Sequence, residues 1–196
     1  MVKQARYGFA CSCKTVSGSL SESAPRSGAR IQCFCSECRA AEVFAGQADP
    51  HPDPVDLVQM SADGIEFETG LDQLAVFSIG EGKILRWYAS CCGAILFNTL
   101  RSPGWNFASI RTPRLSDPSI AGPVVARAFV PRPGRRQKHE GTLKLILGLL
   151  GRTVQARLTG RWRANPFFDI EGDGKPIRPV YVLTDEDRAK LPLERS

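Results

Sequence analysis

Short apolar runs separated by glycine, proline and serine dominate the first two thirds of the chain. Residues 8–11, 29–32, 73–78, 84–88 and 94–97 each have the length and composition of a strand, and residues 124–130 add another. Between them, Ser36 to Phe44 carries a helical pattern that follows Cys35 and closes near Gly46. The pattern predicts a mainly β fold, a small antiparallel sheet occupying residues 1–130.

Beyond residue 130 the period changes. Leu143, Ile146, Leu147, Leu150, Val154 and Leu158 recur at the spacing of one helix face, which predicts a helix over residues 139–161. Gly148 and Gly151 oppose it at about 1 kcal/mol each relative to alanine. Phe167-Phe168-Asp169 then leads to a short last helix over residues 184–191. Residues 131–196 are therefore expected to form a helical C-terminal extension packed on the β domain. No internal repeat is visible.

Charge sharpens this division. The whole chain of 196 residues carries +6, whereas residues 131–163 hold nine Lys/Arg against the single acid Glu140, a net +8. Arg135, Arg136 and Lys138, followed by Lys144, Arg152, Arg157 and Arg161, suit phosphate backbones or an anionic membrane surface. Charge runs are more often solvated faces, so the expected arrangement is a helix lying on the β domain with its basic side in water. The first residues lack the apolar stretch of a secretion signal. The longest apolar run, residues 145–150, is far short of the ~20 residues of a membrane span. A cytoplasmic location is expected.

Seven cysteines alter the picture most. Cys11 and Cys13, then Cys33, Cys35 and Cys38, then Cys91 and Cys92 contain all of them in three short clusters. In a chain without a signal peptide, such spacing reads as metal ligation rather than a disulfide framework. Neither His51 nor His139 lies in a cluster, so the sites are sulfur-rich and suit zinc. Seven thiolates divide as four plus three, which predicts two ions. A four-thiolate site is closed, while a three-thiolate site keeps one position open. With a net charge of −1 the open site favours capture of a soft ligand, such as a thiol, over making zinc hydroxide.

Gly8-x-x-Cys11-x-Cys13, then Cys33-x-Cys35-x-x-Cys38-Arg39, then an aromatic strand ending in Cys92-Gly93, resembles the glutathione-dependent formaldehyde-activating enzyme and centromere protein V family. The likeness spans roughly residues 6–100; residues 85–92 and Phe167-Phe168-Asp169 look like an uncharacterised bacterial branch of that family. The resemblance implies a zinc-bound antiparallel β fold. It assigns Cys11, Cys13 and Cys92 to a structural zinc, and Cys33, Cys35 and Cys38 to a second, substrate-facing zinc. Three positions depart from the family pattern: Phe34 replaces a common histidine, Lys14 a common glycine, and Ala89 the first cysteine of Cys-x-x-Cys-Gly. Cys91 can stand in as fourth ligand if the chain turns at Cys91-Cys92-Gly93; otherwise it faces elsewhere or closes the second site.

The leading functional expectation is a carbon–sulfur lyase-type enzyme with Cys33, Cys35 and Cys38 as its catalytic centre and a thiol or glutathione-like adduct as substrate. Arg39 and Arg86 are candidates to hold substrate carboxylates and Asn98 to orient the adduct, although a solvated arginine and a turn asparagine are the commoner outcomes. Trp87 and Tyr88 read first as core. The competing expectation is a non-catalytic, zinc-stabilised binding module whose basic segment contacts nucleic acid, membrane or protein. A redox switch at Cys91 or Cys92 is a weaker third.

Overall fold

A computed structural model of the chain describes residues 6–193. Among them twelve strands form: β1 (Arg6–Ala10), β2 (Ser17–Ser21), β3 (Ala29–Cys33), β4 (Val55–Ser61), β5 (Ile65–Thr69), β6 (Leu74–Ser78), β7 (Leu85–Ala89), β8 (Ile95–Thr99), β9 (Phe107–Arg111), β10 (Val124–Val130), β11 (Lys138–Glu140) and β12 (Val180–Val182). The α-helices are α1 (Ser23–Arg26), α2 (Ser36–Phe44), α3 (Thr142–Leu158) and α4 (Asp185–Ala189). The chain is mainly β.

Two sheets face each other. The smaller has the order β1-β2-β5, and the larger runs β11-β10-β3-β4-β9-β8-β7-β6-β12. Pairing is antiparallel except where β10 lies parallel to β3 and β12 parallel to β6. Val58 and Met60 of β4, Trp87 of β7, Phe97 of β8 and Ile110 of β9 point toward the small sheet and meet Phe9 and Leu20 there. Phe167 enters the same core completely buried, its ring 5.0 Å from Trp87 and 5.4 Å from Phe97. Trp87 satisfies its indole N–H on Thr99 Oγ1 at 2.9 Å, which lets so large a side chain be fully enclosed. The strand propensity of Trp87 and Phe97 is realised here as packing between two sheets.

The other face of the large sheet is covered too. Leu57 and Gln59 of β4 and Phe107, Ser109 and Arg111 of β9 are buried there. Strands buried on both sides lose the alternation of apolar and polar residues that marks a half-exposed strand, and β4 and β9 accordingly escape the hydropathy pattern.

The last third of the chain does more than pack as a helix: β11 and β12 add the two edges of the large sheet. The helix predicted over residues 139–161 is α3, shortened at its start because residues 138–140 pair with β10. Its orientation reverses the expected one. Arg152 turns inward, donating to Ser27 O at 3.0 Å and Gln59 Oε1 at 3.1 Å, and burial lowers its pKa. Arg157 donates to Gly104 O at 2.8 Å and Thr153 to Trp105 O at 2.7 Å. The backbone carbonyls of the domain surface are what the inner side of α3 satisfies, and the aliphatic stripe of the helix faces solvent. The last predicted helix is α4, capped reciprocally by Thr184 and Asp187.

Candidate metal centres

Two cysteine groups assemble. In the first, Cys11, Cys13, Cys91 and Cys92 bring their sulfurs within 4.8 Å of one another. Cys11 follows directly on β1, and its amide donates to Val16 O at 2.9 Å, closing a turn that folds Cys13 back. Lys14, at the position where glycine is common in the resembling family, adopts the left-handed φ of +64° that glycine favours. On the other side β7 ends at Ala89, whose carbonyl accepts from both Cys92 N at 3.2 Å and Gly93 N at 2.8 Å. Gly93 has φ +71°, and a Cβ there would lie 2.0 Å from Ala45 O. This tight turn breaks the strand geometry that would send Cys91 and Cys92 to opposite faces, so both join the group.

In the second group, Cys33 at the end of β3, Cys35 and Cys38 gather their sulfurs within 4.8 Å. Cys35 is the N-cap of α2, its sulfur accepting from Cys38 N at 3.3 Å. The helix start therefore spaces Cys35 and Cys38 one turn apart and aims the N-terminal end of its dipole at the sulfurs.

Sulfur separations are 3.5 Å for Cys11–Cys13, 3.3 Å for Cys13–Cys91 and 4.0 Å for Cys11–Cys91. They are 3.3 Å for Cys33–Cys35 and 3.6 Å for Cys33–Cys38. A disulfide needs about 2.05 Å. A tetrahedral site with metal–sulfur bonds of about 2.3 Å spaces its sulfurs about 3.8 Å apart. Both groups thus have donor sets and spacing that can hold metal ions: four thiols in one, three in the other.

Their surroundings differ. Cys13 and Cys91 are exposed, and hydrogen bonding to Thr15 lowers the Cys13 thiol to about 6. Cys33 and Cys38 are buried. Hydrogen bonds from Cys33 and Cys35, with the Arg86 and Arg111 guanidiniums beyond them, hold Cys38 well below the ordinary thiol range against its burial. The same contacts with Cys35 and Cys38, and then burial, push Cys33 up. Arg86 and Arg111 are both nearly fully buried, and Arg86 Nε and Arg111 Nη1 and Nη2 have no hydrogen-bond partner. Glu37 stands 3.7 Å from Arg86, and Glu42 2.9 Å from Arg111. Under-satisfied buried cations next to thiols are the counter-charge that a thiolate-rich, net-negative metal centre calls for.

A cavity of about 490 Å³ opens at the second group. Its floor is a row of in-register side chains crossing four strands: Gln59, Ser109, Asn98 and Arg86, on β4, β9, β8 and β7. Asn98 donates to Ser109 Oγ at 3.2 Å and faces Arg86 with its carbonyl at 3.5 Å. Ile31, Leu57 and Phe107 supply an apolar surround, while Phe129 of β10 and Leu145 of α3 also line it. Phe129 holds a φ of +59°, unfavourable for a bulky residue, and stacks edge-on against His139 at 4.7 Å.

Residues 3–180 match a family described as a family of unknown function, DUF6151. The chain belongs to that family. No curated protein matches it. Among solved structures it is similar to a crystal structure of a Rhodobacter sphaeroides protein at 16% identity and a TM-score of 0.42, covering 62% of this chain and 98% of that one.

In this DUF6151 chain the structure sorts the remaining candidates. Arg86 is a buried cavity residue rather than a solvated arginine, and Asn98 sits mid-strand rather than in a turn. Arg39 lies away from the cavity lining and pairs with Asp49 through two contacts of 3.0 and 2.7 Å. Trp87 belongs to the core, as expected, and Tyr88 packs beside Phe77 at 5.5 Å. Gln59, Ser109 and Arg111 had no sequence flag. Their signal is faint but present: in Phe107-Ala108-Ser109-Ile110-Arg111, two polar residues share a face inside a strand that is otherwise apolar. Among the described residues no helix is long and apolar enough to cross a membrane.

Proposed function

We propose that the protein is a zinc-dependent carbon–sulfur lyase-type enzyme that acts on a thiol and its carbonyl adduct at the Cys33–Cys35–Cys38 group. The observation that carries this reading is that Cys33, Cys35 and Cys38, three thiols gathered at metal-binding spacing, line a cavity of about 490 Å³. Thiol-only donor sets at tetrahedral spacing suit zinc, and three protein donors leave it a position for substrate. The likeness of the cysteine spacing to the glutathione-dependent formaldehyde-activating family supports a glutathione-like thiol. Free thiols at this density also suit a reducing cytoplasm.

Zinc at this group would supply stabilisation of a substrate thiolate. The protein's own residues do the rest. Arg86 and Asn98 hold the polar groups of the adduct on the cavity floor, with Arg86 suited to a carboxylate or the adduct hydroxyl. Ile31, Leu57, Phe107 and Phe129 exclude water from the reacting carbon. In the forming direction the thiol sulfur adds to the carbonyl carbon and the thiol proton ends on the carbonyl oxygen; the reverse cleaves the same bond. Cys11, Cys13, Cys91 and Cys92 would hold a second zinc that ties β1 to the β7–β8 turn.

The test joins zinc counting to ligand binding. Purified protein is expected to carry two zinc ions per chain, falling to one in Cys35→Ser, and to show a thermal shift with glutathione or its formaldehyde adduct that the variant lacks. Two zinc ions but no shift and no turnover would leave only a doubly stapled fold.

A further inference from the structure

Among the described residues the outward face of α3 has no partner. Leu143, Ile146, Leu147, Leu150, Val154 and Leu158 fall in one stripe of the ~100° width expected of a buried helix face. Yet they are exposed by amounts running from 43% at Leu150 to 84% at Leu158. The 17-residue helix contains no acidic residue. The segment leading into it brings Arg132, Arg135 and Arg136, all exposed, and Lys144 follows in the first turns. Among the described residues none of these four has a carboxylate within ion-pairing distance; Glu140 is taken by Lys138 at 2.9 Å. Trp105 accepts from Thr153 of α3 through its backbone carbonyl, and its side chain is 43% exposed. Trp162 stands at its C-terminal end beneath Arg157 and Arg163, at 5.2 and 5.1 Å.

We infer that this face is a docking surface for an anionic lipid bilayer, with α3 lying in the plane of the interface. Aliphatic side chains on one side, basic residues at the entry and tryptophans alongside are the composition of interfacial helices. The charge decides between occupants. A second copy would bring its own net +8 segment against the first, with no acid on either face to offset it. An anionic lipid surface offers the complementary sign and takes up the aliphatic stripe at once. Nucleic acid would satisfy the charge and leave six aliphatic side chains in water. The inference does not depend on the reading of the thiol groups, although Leu145 on the inner side of α3 lines the cavity and so links the two regions physically.

The test uses the full chain as purified and flotation with vesicles of phosphatidylcholine alone or enriched in phosphatidylglycerol. Binding is expected to the anionic vesicles only and to weaken steeply with salt. Neutralising Arg135→Gln and Arg136→Gln should weaken it about fivefold per charge removed. Leu147→Gln with Leu150→Gln, both exposed and so harmless to the core, should abolish it while zinc content and circular dichroism stay unchanged. Absence of binding to anionic vesicles overturns the inference, as does binding that survives the leucine substitutions. Self-association in sedimentation velocity that the same two substitutions remove would assign the face to a second copy instead. Duplex-DNA binding insensitive to them, without vesicle binding, would assign the basic segment to nucleic acid.

Discussion

The two cysteine groups use the same ligand chemistry in unlike settings. The first lies on two turns near the surface, with Cys13 and Cys91 exposed and the Arg114 guanidinium donating to Ser12 Oγ between Cys11 and Cys13 at 2.6 Å. The second sits between a helix N-terminus and the buried face of a sheet, flanked by Arg86 and Arg111, and opens into a cavity. Ligand identity alone does not separate a staple from a reactive centre. Charge balance, burial and space beside the sulfurs do.

Exchanging single ligands should break the comparison most visibly. Cys11→Ser is expected to destabilise the fold by about 3 kcal/mol or more, since metal binding at a structural thiol site is folding free energy; for a chain of this size that is a Tm fall near 10 °C. Cys35→Ser should abolish turnover while moving Tm much less, because Cys33, Cys38 and the surrounding sheet remain packed. Equal Tm losses in the two variants would erase the distinction. Next, on the proposed lyase reading, Arg86→Met should lower kcat/KM for the thiol adduct roughly 100-fold, about 2.7 kcal/mol of transition-state stabilisation, with metal content unchanged in elemental analysis.

A smaller effect tests how the groups are joined. Gly93→Ala must relieve a contact with Ala45 O, just past α2, at a left-handed φ, so we expect a loss of about 1–3 kcal/mol in chemical denaturation. Bound metal should be lost from the first group before the second. Least of all, Phe129→Gly should change stability by no more than about 1 kcal/mol, because relief of its positive φ offsets the lost His139 contact. Its expected signature is a raised KM for the adduct with kcat preserved.

Much of this was legible in the sequence. The cysteine spacing and the 36–44 helix appear where their local chemistry puts them, because caps, turns and strand ends are short-range features. β4 and β9 were not legible: burial on both faces removes the period-2 signal, and only their cross-strand partners reveal that Gln59 and Ser109 join Asn98 and Arg86. The orientation of α3 was misread for a different reason. Periodicity marks which residues share a stripe, not which stripe meets the domain. Here Arg152, Arg157 and Thr153 meet backbone carbonyls on the domain, and the leucine stripe is left on the outer side.

The short β11 and β12 act as bookends. Each offers only three residues at an outer margin of the nine-stranded sheet, too little ladder for a neighbouring molecule to extend. Cutting the chain after Val130 would take Phe167 out of the core, remove both ends and uncover Leu74-Ala75-Val76-Phe77-Ser78, an apolar five-residue edge. Such a fragment would keep every cysteine and is expected to aggregate through that edge, so residues that carry no thiol guard the flank of the strands that do.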